Sequence, residues 1–285
     1  MGQQEKKLSG LSAFLKNEVD PRHADLLLFT CCLCSGLVDS TIYKGDRPRT
    51  TPLCPCKRVS SSRHGHGGDA YDPGEAMVKA NFSVRPCLAG NTIFVGLGAS
   101  NQNPRPYGWA RSLTSIGCFV IGCFIFARIN RFVGAQRRGC LILSFFIQAS
   151  LIVVTAALVQ AGAVSSAIED NPLDPIVRWD QEVPIVLLSL QSAGQIVASR
   201  TLGYNEIPTV VITSLLCDLM SDPKLFLIRN EKRDRRIIAF VLTMVGAIVG
   251  GWVTKSTGNI APVLWLAAGI KYVVAVAWGF WKVKA

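Results

Sequence analysis

The apolar positions of this chain fall into long runs separated by short polar or charged segments. Six runs, 24–43, 113–129, 140–163, 183–202, 237–254 and 260–281, are long enough to cross a bilayer. A helix rises about 1.5 Å per residue against a hydrocarbon core about 30 Å thick, so each run predicts one tilted or ragged-ended transmembrane helix. Two further runs, 90–100 and 207–219, are too short. Spanning only about 16–20 Å, they are expected to enter the membrane and stop. The order is span, short, span, span, and then the same again. The pattern predicts an all-α integral membrane protein of about six transmembrane helices plus two short re-entrant or half-helix segments. Its halves, 24–163 and 183–281, would form an inverted repeat, because each makes an odd number of crossings. In secondary transporters, short Gly- or Pro-interrupted segments at matching places in two repeats mark the binding site.

Composition agrees with the pattern. Hydrophobic residues make up 49% of the 285 and charged residues only 17%, which is more apolar than a soluble domain usually is. The net charge of +11 suggests a nucleic-acid partner until its distribution is considered. Lys and Arg collect between apolar runs, where they act as stop signals at a membrane face, so no nucleic acid is expected. Arg128, Arg131, Arg137 and Arg138 separate two spans, and Lys224, Arg229, Lys232, Arg233, Arg235 and Arg236 precede another; both loops are expected in the cytoplasm. The 164–182 loop carries Glu169, Asp170, Asp174, Asp180 and Glu182 against Arg178, which suits the other side. Six crossings then place both termini in the cytoplasm.

Residues 1–23 read as a cytoplasmic segment without the apolar core of a signal peptide, and 24–285 as a single transmembrane domain. Leu8, Leu11, Phe14 and Leu15 have the spacing of a short interfacial helix, although a frayed terminus fits as well. A polar insertion at 45–87 interrupts the domain. It is either an extracytoplasmic loop or translated non-coding sequence. Its Cys54-x-Cys56 and His64-x-His66 supply a tetrahedral zinc donor set, but their spacing and Gly/Ser-rich surroundings favour a metal-free loop. No cofactor is expected.

Ionisable groups inside spans are functional candidates because they are costly there. Asp39 is the clearest in the first half, while Asp25 suits the interface. Gln191, Gln195 and Ser199 share one helical face, which either binds a polar solute or joins helices. Asn91 and Thr92 stand where the first short segment begins, with Thr209, Thr213 and Ser214 at the equivalent place in the second and Asp218 at its end. Backbone N–H groups left open at such helix starts favour polar or anionic ligands. Gly246-x-x-x-Gly250 matches the small-residue motif of close helix packing, and Trp252, Trp265, Trp278 and Trp281 suit interfacial anchors. Most cysteines lie in apolar runs as small hydrophobes. No nucleophile–base pair or metal set lies at one depth, so an enzyme is not expected.

These residues also carry a resemblance. Glu18-Val-Asp-Pro21 leading into Asp25, Cys34-Ser-Gly-Leu-Val-Asp39, Gly90-Asn-Thr-Ile-Phe-Val-Gly-Leu-Gly98, and Leu190-Gln191 followed by Thr209-Val-Val-Ile-Thr213 resemble the YoaK-like family of multi-pass membrane proteins, in its fungal form. The resemblance covers nearly everything except 45–87. The family has a short connection there and usually a Thr where Ala89 stands. It has no established activity, so the resemblance implies a class and not a substrate. The function expected from the residues is a small-solute carrier in contact with the lipid bilayer. Its site would lie between Asn91-Thr92 and Thr213-Ser214, supported by Gln191 and Gln195, with Asp39 and Asp218 as proton or cation partners. The rivals are a non-transporting scaffold or sensor and, less favoured, an intramembrane enzyme. Oligomeric state leaves no mark on the pattern.

Overall fold

The computed structural model describes residues 12–21, 23–42, 88–100, 108–164, 180, 182–207, 212–227 and 229–284. The 45–87 insertion, with its Cys and His pairs, and Thr209 lie outside the described residues. Among the described residues, a helical turn at 12–16 is followed by eight helices. They are α1 (Asp25–Ile42), α2 (Leu88–Ala99), α3 (Gly108–Val133), α4 (Arg138–Gln160), α5 (Glu182–Thr201), α6 (Ile212–Met220), α7 (Glu231–Thr257) and α8 (Ala261–Phe280). Each apolar run has become one helix, and the two short runs are the two short helices α2 and α6. Among the described residues, α3, α4, α5, α7 and α8 are long and apolar enough to cross a membrane. α1 has 18 residues, a length of about 27 Å, and packs along α7. The chain is an all-α membrane protein.

Local chemistry sets the helix ends. Asn230 caps α7, its side-chain oxygen accepting from the Arg233 backbone N–H at 3.2 Å, and the helix stops at Gly258, whose φ of 71° is readily available to glycine. Pro262 in the first turn of α8 loses no helical hydrogen bond by lacking an N–H.

The packing has a two-fold pattern. α1 packs on α7 as α5 packs on α3; α4 meets α5 as α8 meets α1; α2 lies on α3 as α6 lies on α7; and α4 crosses α8. Exchanging the halves maps every one of these contacts onto another or onto itself. α1 and α7 run parallel, since Asp25 meets Arg235 at their starts and Ser40 meets Gly250 further along. α3 and α5 are likewise parallel, from Arg111–Glu182 to Asn130–Thr201. α4 and α8 are antiparallel, with Phe145 stacked on Trp278 and Gln160 bonded to Trp265.

Glycine permits the closest approach. A Cβ at Gly36 would stand 2.0 Å from the Thr243 carbonyl oxygen, and one at Gly246 would stand 2.2 Å from that of Leu33. The Gly246-x-x-x-Gly250 stretch therefore does form a helix–helix seam. Outward, Phe124, Ile125, Ile248, Trp252, Val273 and Phe280 are exposed. On a soluble protein so much open apolar surface would drive association; here it meets acyl chains. Trp278 does not face lipid. It is fully buried against Phe145, because α8 turns that face toward α4.

One end of the bundle is stitched by segments from three parts of the chain. The Val19 N–H donates to the Gln136 carbonyl at 2.9 Å, the Asp20 N–H to that of Lys282 at 3.0 Å, and the Lys284 N–H to that of Glu18 at 2.9 Å. Arg138 donates from its guanidinium to the Trp281 carbonyl. This terminal face also holds the start of α7 and both basic loops.

Candidate functional site

Four helices, α1, α4, α5 and α8, enclose polar side chains at the centre of the bundle. Lys271 on α8 is 0% exposed, and its Nζ donates to Gln148 Oε1 on α4 at 2.7 Å. The Gln148 amide donates in turn to Ser144 Oγ at 3.2 Å. On α5, Gln195 is also 0% exposed and donates to Ser35 Oγ at 2.8 Å and to the Cys31 carbonyl at 3.2 Å. Gln191 donates to Gln195 Oε1 at 3.3 Å. Gly194 joins the two groups, since a Cβ there would lie 3.0 Å from Gln148 Cγ. The thiols of Cys31 and Cys34 lie within electrostatic reach of Lys271. Among the described residues no carboxylate comes within ion-pairing distance of Lys271 Nζ.

The repeat explains why this pair meets. Leu141-Ile-Leu-Ser-Phe-Phe-Ile-Gln148 and Leu264-Trp-Leu-Ala-Ala-Gly-Ile-Lys271 agree at Leu141/Leu264, Leu143/Leu266 and Ile147/Ile270. Gln148 and Lys271 therefore occupy the same position in the two halves. Antiparallel helices exchanged by such a repeat meet where equivalent residues touch, as these two do.

The same symmetry acts at the two ends. On the terminal face Arg235 Nε lies 3.1 Å from Asp25 Oδ2, pairing the first turns of α7 and α1. On the opposite face Arg111 Nε lies 3.8 Å from Glu182 Oε1, pairing the first turns of α3 and α5. Arg111 stands as far before Gly122 as Arg235 stands before Gly246. The terminal face has further braces. Arg236 pairs with Asp222 at 3.0 Å and Lys232 with Glu206 at 3.3 Å, and the Tyr204 hydroxyl donates to the Pro21 carbonyl at 2.6 Å. Burial and the nearby Asp25 carboxylate push the Tyr204 phenol up, partly offset by the Arg235 guanidinium over its ring. Asp222 is held below the usual carboxylate range by bonds from the Lys224 N–H and the Asn230 amide, and by Arg236.

Of the residues singled out by pattern, Gln191 and Gln195 belong to the central group. Asn91 is buried in the first turn of α2, donating to Ser115 Oγ at 3.2 Å, and Ser115 meets Ser189 on α5 at 3.2 Å. Thr92 is exposed, as are Thr213, Ser214 and Asp218 on α6 and Asp39 on α1. α2 packs on α3 and α6 on α7, so Asn91 and Thr213 are carried by different helix pairs. Ser199, last of the α5 stripe, bonds the Tyr204 and Ile207 carbonyls at 2.9 Å each and closes the turn after α5. Lys271, Gln148 and Ser144 were not marked by pattern. The usable signal for Lys271 was its standing as the one charged residue between Ala261 and Phe280.

A family model described as a protein of unknown function, DUF1275, matches residues 87–277, two thirds of the chain. The chain belongs to the DUF1275 family. This is the family of the YoaK-like proteins, and the match begins just after the polar insertion. No curated protein and no solved structure matches the chain.

Proposed function

We propose that this DUF1275 protein carries a small solute across its membrane by alternating access, with the polar group around Gln148, Gln191, Gln195 and Lys271 as its binding region. The reading rests on one observation. Two ion pairs equivalent under the repeat, Asp25–Arg235 and Glu182–Arg111, close opposite ends of the bundle on either side of an enclosed polar centre. Inverted repeats supply the same gate twice, once per face, and rocking one half against the other opens one while the other stays shut. With both pairs formed, the centre is sealed at both ends. The charge of the basic loops supports a cytoplasmic terminal face, with both chain ends on that side. The exposed residues Asp39, Thr92, Thr213, Ser214 and Asp218 remain candidates for the path of the solute.

Side-specific labelling of the buried thiols tests the carrier without knowledge of the solute. Asp25→Asn should expose Cys31 and Cys34 to an impermeant thiol reagent from the terminal face, and Glu182→Gln should expose them from the opposite face, as read by peptide mass spectrometry. Labelling that stays at the parent level in both variants, with the protein still folded, would overturn the reading. The rival supported by an observation is a static scaffold. Full enclosure of Gln148, Gln195 and Lys271 is what helix-joining polar contacts also need.

A further inference from the structure

We infer that the solute is a small anion and that Lys271 supplies its counter-charge. The inference rests on the carrier reading for transport, but it stands on the central geometry for binding. An ammonium carries three donors, and the described residues show one hydrogen bond from Lys271, to a neutral amide oxygen. Its side chain is fully enclosed inside a membrane helix with no carboxylate beside it. A buried cation without a partner is strongly unfavourable, whereas an anion brought to it recovers the lost hydration through charge-assisted bonds. The neighbours suit that ligand. Ser144, Ser35, Gln191 and Gln195 offer hydroxyl and amide donors, while an added cation would meet only repulsion from Lys271. The centre has no carboxylate of its own among the described residues with which to hold sodium or a metal ion.

Position supports the same conclusion. Lys271 and Gln148 share one place in the repeat, yet only one of them is charged. A ligand beside this pair would therefore meet a single positive charge, that of Lys271, whichever face is open. This points to a singly charged species, either a carboxylate or an inorganic anion. The surrounding side chains leave the ammonium no route to water in the closed form, so the charge is encountered only after a gate opens.

The experiment uses the purified full chain in detergent micelles. Its melting temperature is followed while sodium acetate, sodium nitrate or glycerol is added at ionic strength held constant with a bulky sulfonate. Acetate or nitrate should raise the melting temperature of the parent in proportion to the logarithm of its concentration, and glycerol at equal molarity should not. A response to acetate alone assigns a carboxylate, and one to nitrate as well assigns the broader class of small anions. Lys271→Met should fold at least as well as the parent, because it removes a buried unpaired charge, yet bind the responding anion about ten- to a hundredfold more weakly. Lys271→Arg keeps the charge and should retain part of the response. A parent that ignores both anions, or a Lys271→Met protein that responds like the parent, would overturn the anion assignment. If the thiols still switch sides in the gate variants, the carrier reading survives that result; if anions bind and the thiols do not switch, the carrier reading alone falls.

Discussion

The α1–α7 and α3–α5 pairs are one construction used twice, and they are built to different tightness. α1 meets α7 backbone to backbone at Gly36 and Gly246, and the starts of the two helices are tied by an ion pair at 3.1 Å. α3 meets α5 through Gly122 and Gly194, but against the side chains of Ala193 and Phe126, and the matching ion pair is 3.8 Å long. One oxygen of Glu182 is buried without a hydrogen-bond partner among the described residues. Backbone contact cannot give way, whereas a side chain can change rotamer. The difference implies that the α1–α7 contact is the firmer of the two and the α3–α5 contact the one that yields first, so the face closed by Arg111 and Glu182 opens more readily.

The largest test is steric. Gly36→Leu or Gly246→Leu should cost on the order of 3 kcal/mol or more and leave little folded protein in a detergent melt, since the added carbons collide with main chain. Gly122→Leu should lose less, because its nearest neighbours are Ala193 Cβ at 2.8 Å and Leu190 Cδ2 at 3.2 Å, and the Leu190 side chain can change rotamer. Equal losses in the two pairs would erase the asymmetry. Next come the gates. In the thiol-labelling assay Asp25→Asn should change side-specific access by about tenfold, and Glu182→Gln by less, because the pair it breaks is the longer of the two. The reverse order would mean that the opposite face is the firmer one.

A smaller effect separates the faces by pH. Asp222 is held below the ordinary carboxylate value of about 4, so its contribution is complete above that value and is lost as pH falls through the depressed one. Protection of residues 221–227 and 229–230 against hydrogen exchange should therefore fall as pH drops below the ordinary carboxylate range, and Asp222→Asn should remove that step. An unchanged profile in the variant would show that another group controls the loop. Smallest of all, Gly117→Ala and Gly251→Ala, one on each pair, should shift stability by no more than about 0.5 kcal/mol, because a Cβ at either meets nothing within 4 Å.

Apolar run length was enough to place every helix, because a bilayer demands one length and the hydrophobic effect enforces it. It also fixed the order in which long and short helices alternate. Partner choice was less legible. Gly246-x-x-x-Gly250 announced a seam, and Gly36-x-x-x-Ser40 on α1 has the same small-residue spacing, but neither segment names the other as its partner. Gln191 and Gln195 were visible by their four-residue spacing. Lys271 was hidden by its neighbours, because one charge in an apolar helix of 20 residues leaves the run unbroken. Its meaning depends on Gln148, which is 123 residues away in sequence and meets it only when the halves cross. The starts of α2 and α6 drew attention as open helix ends, and their placement on separate partners follows from tertiary packing that no local pattern encodes.

The exchange of partners between halves bears on how the protein is made. α1 emerges from the ribosome long before α7, and until α7 arrives Gly36 faces lipid and Asp25 has no arginine. α3 waits for α5 in the same way, and α4 for α8. Neither half is a folding unit, so a chain halted after α4 would be a bundle of unmatched seams in the membrane, the kind of surface that quality-control proteases and insertion chaperones recognise. Cut between residues 165 and 179 and expressed as two fragments, the protein should accumulate only when both are present, each serving as the other's missing template.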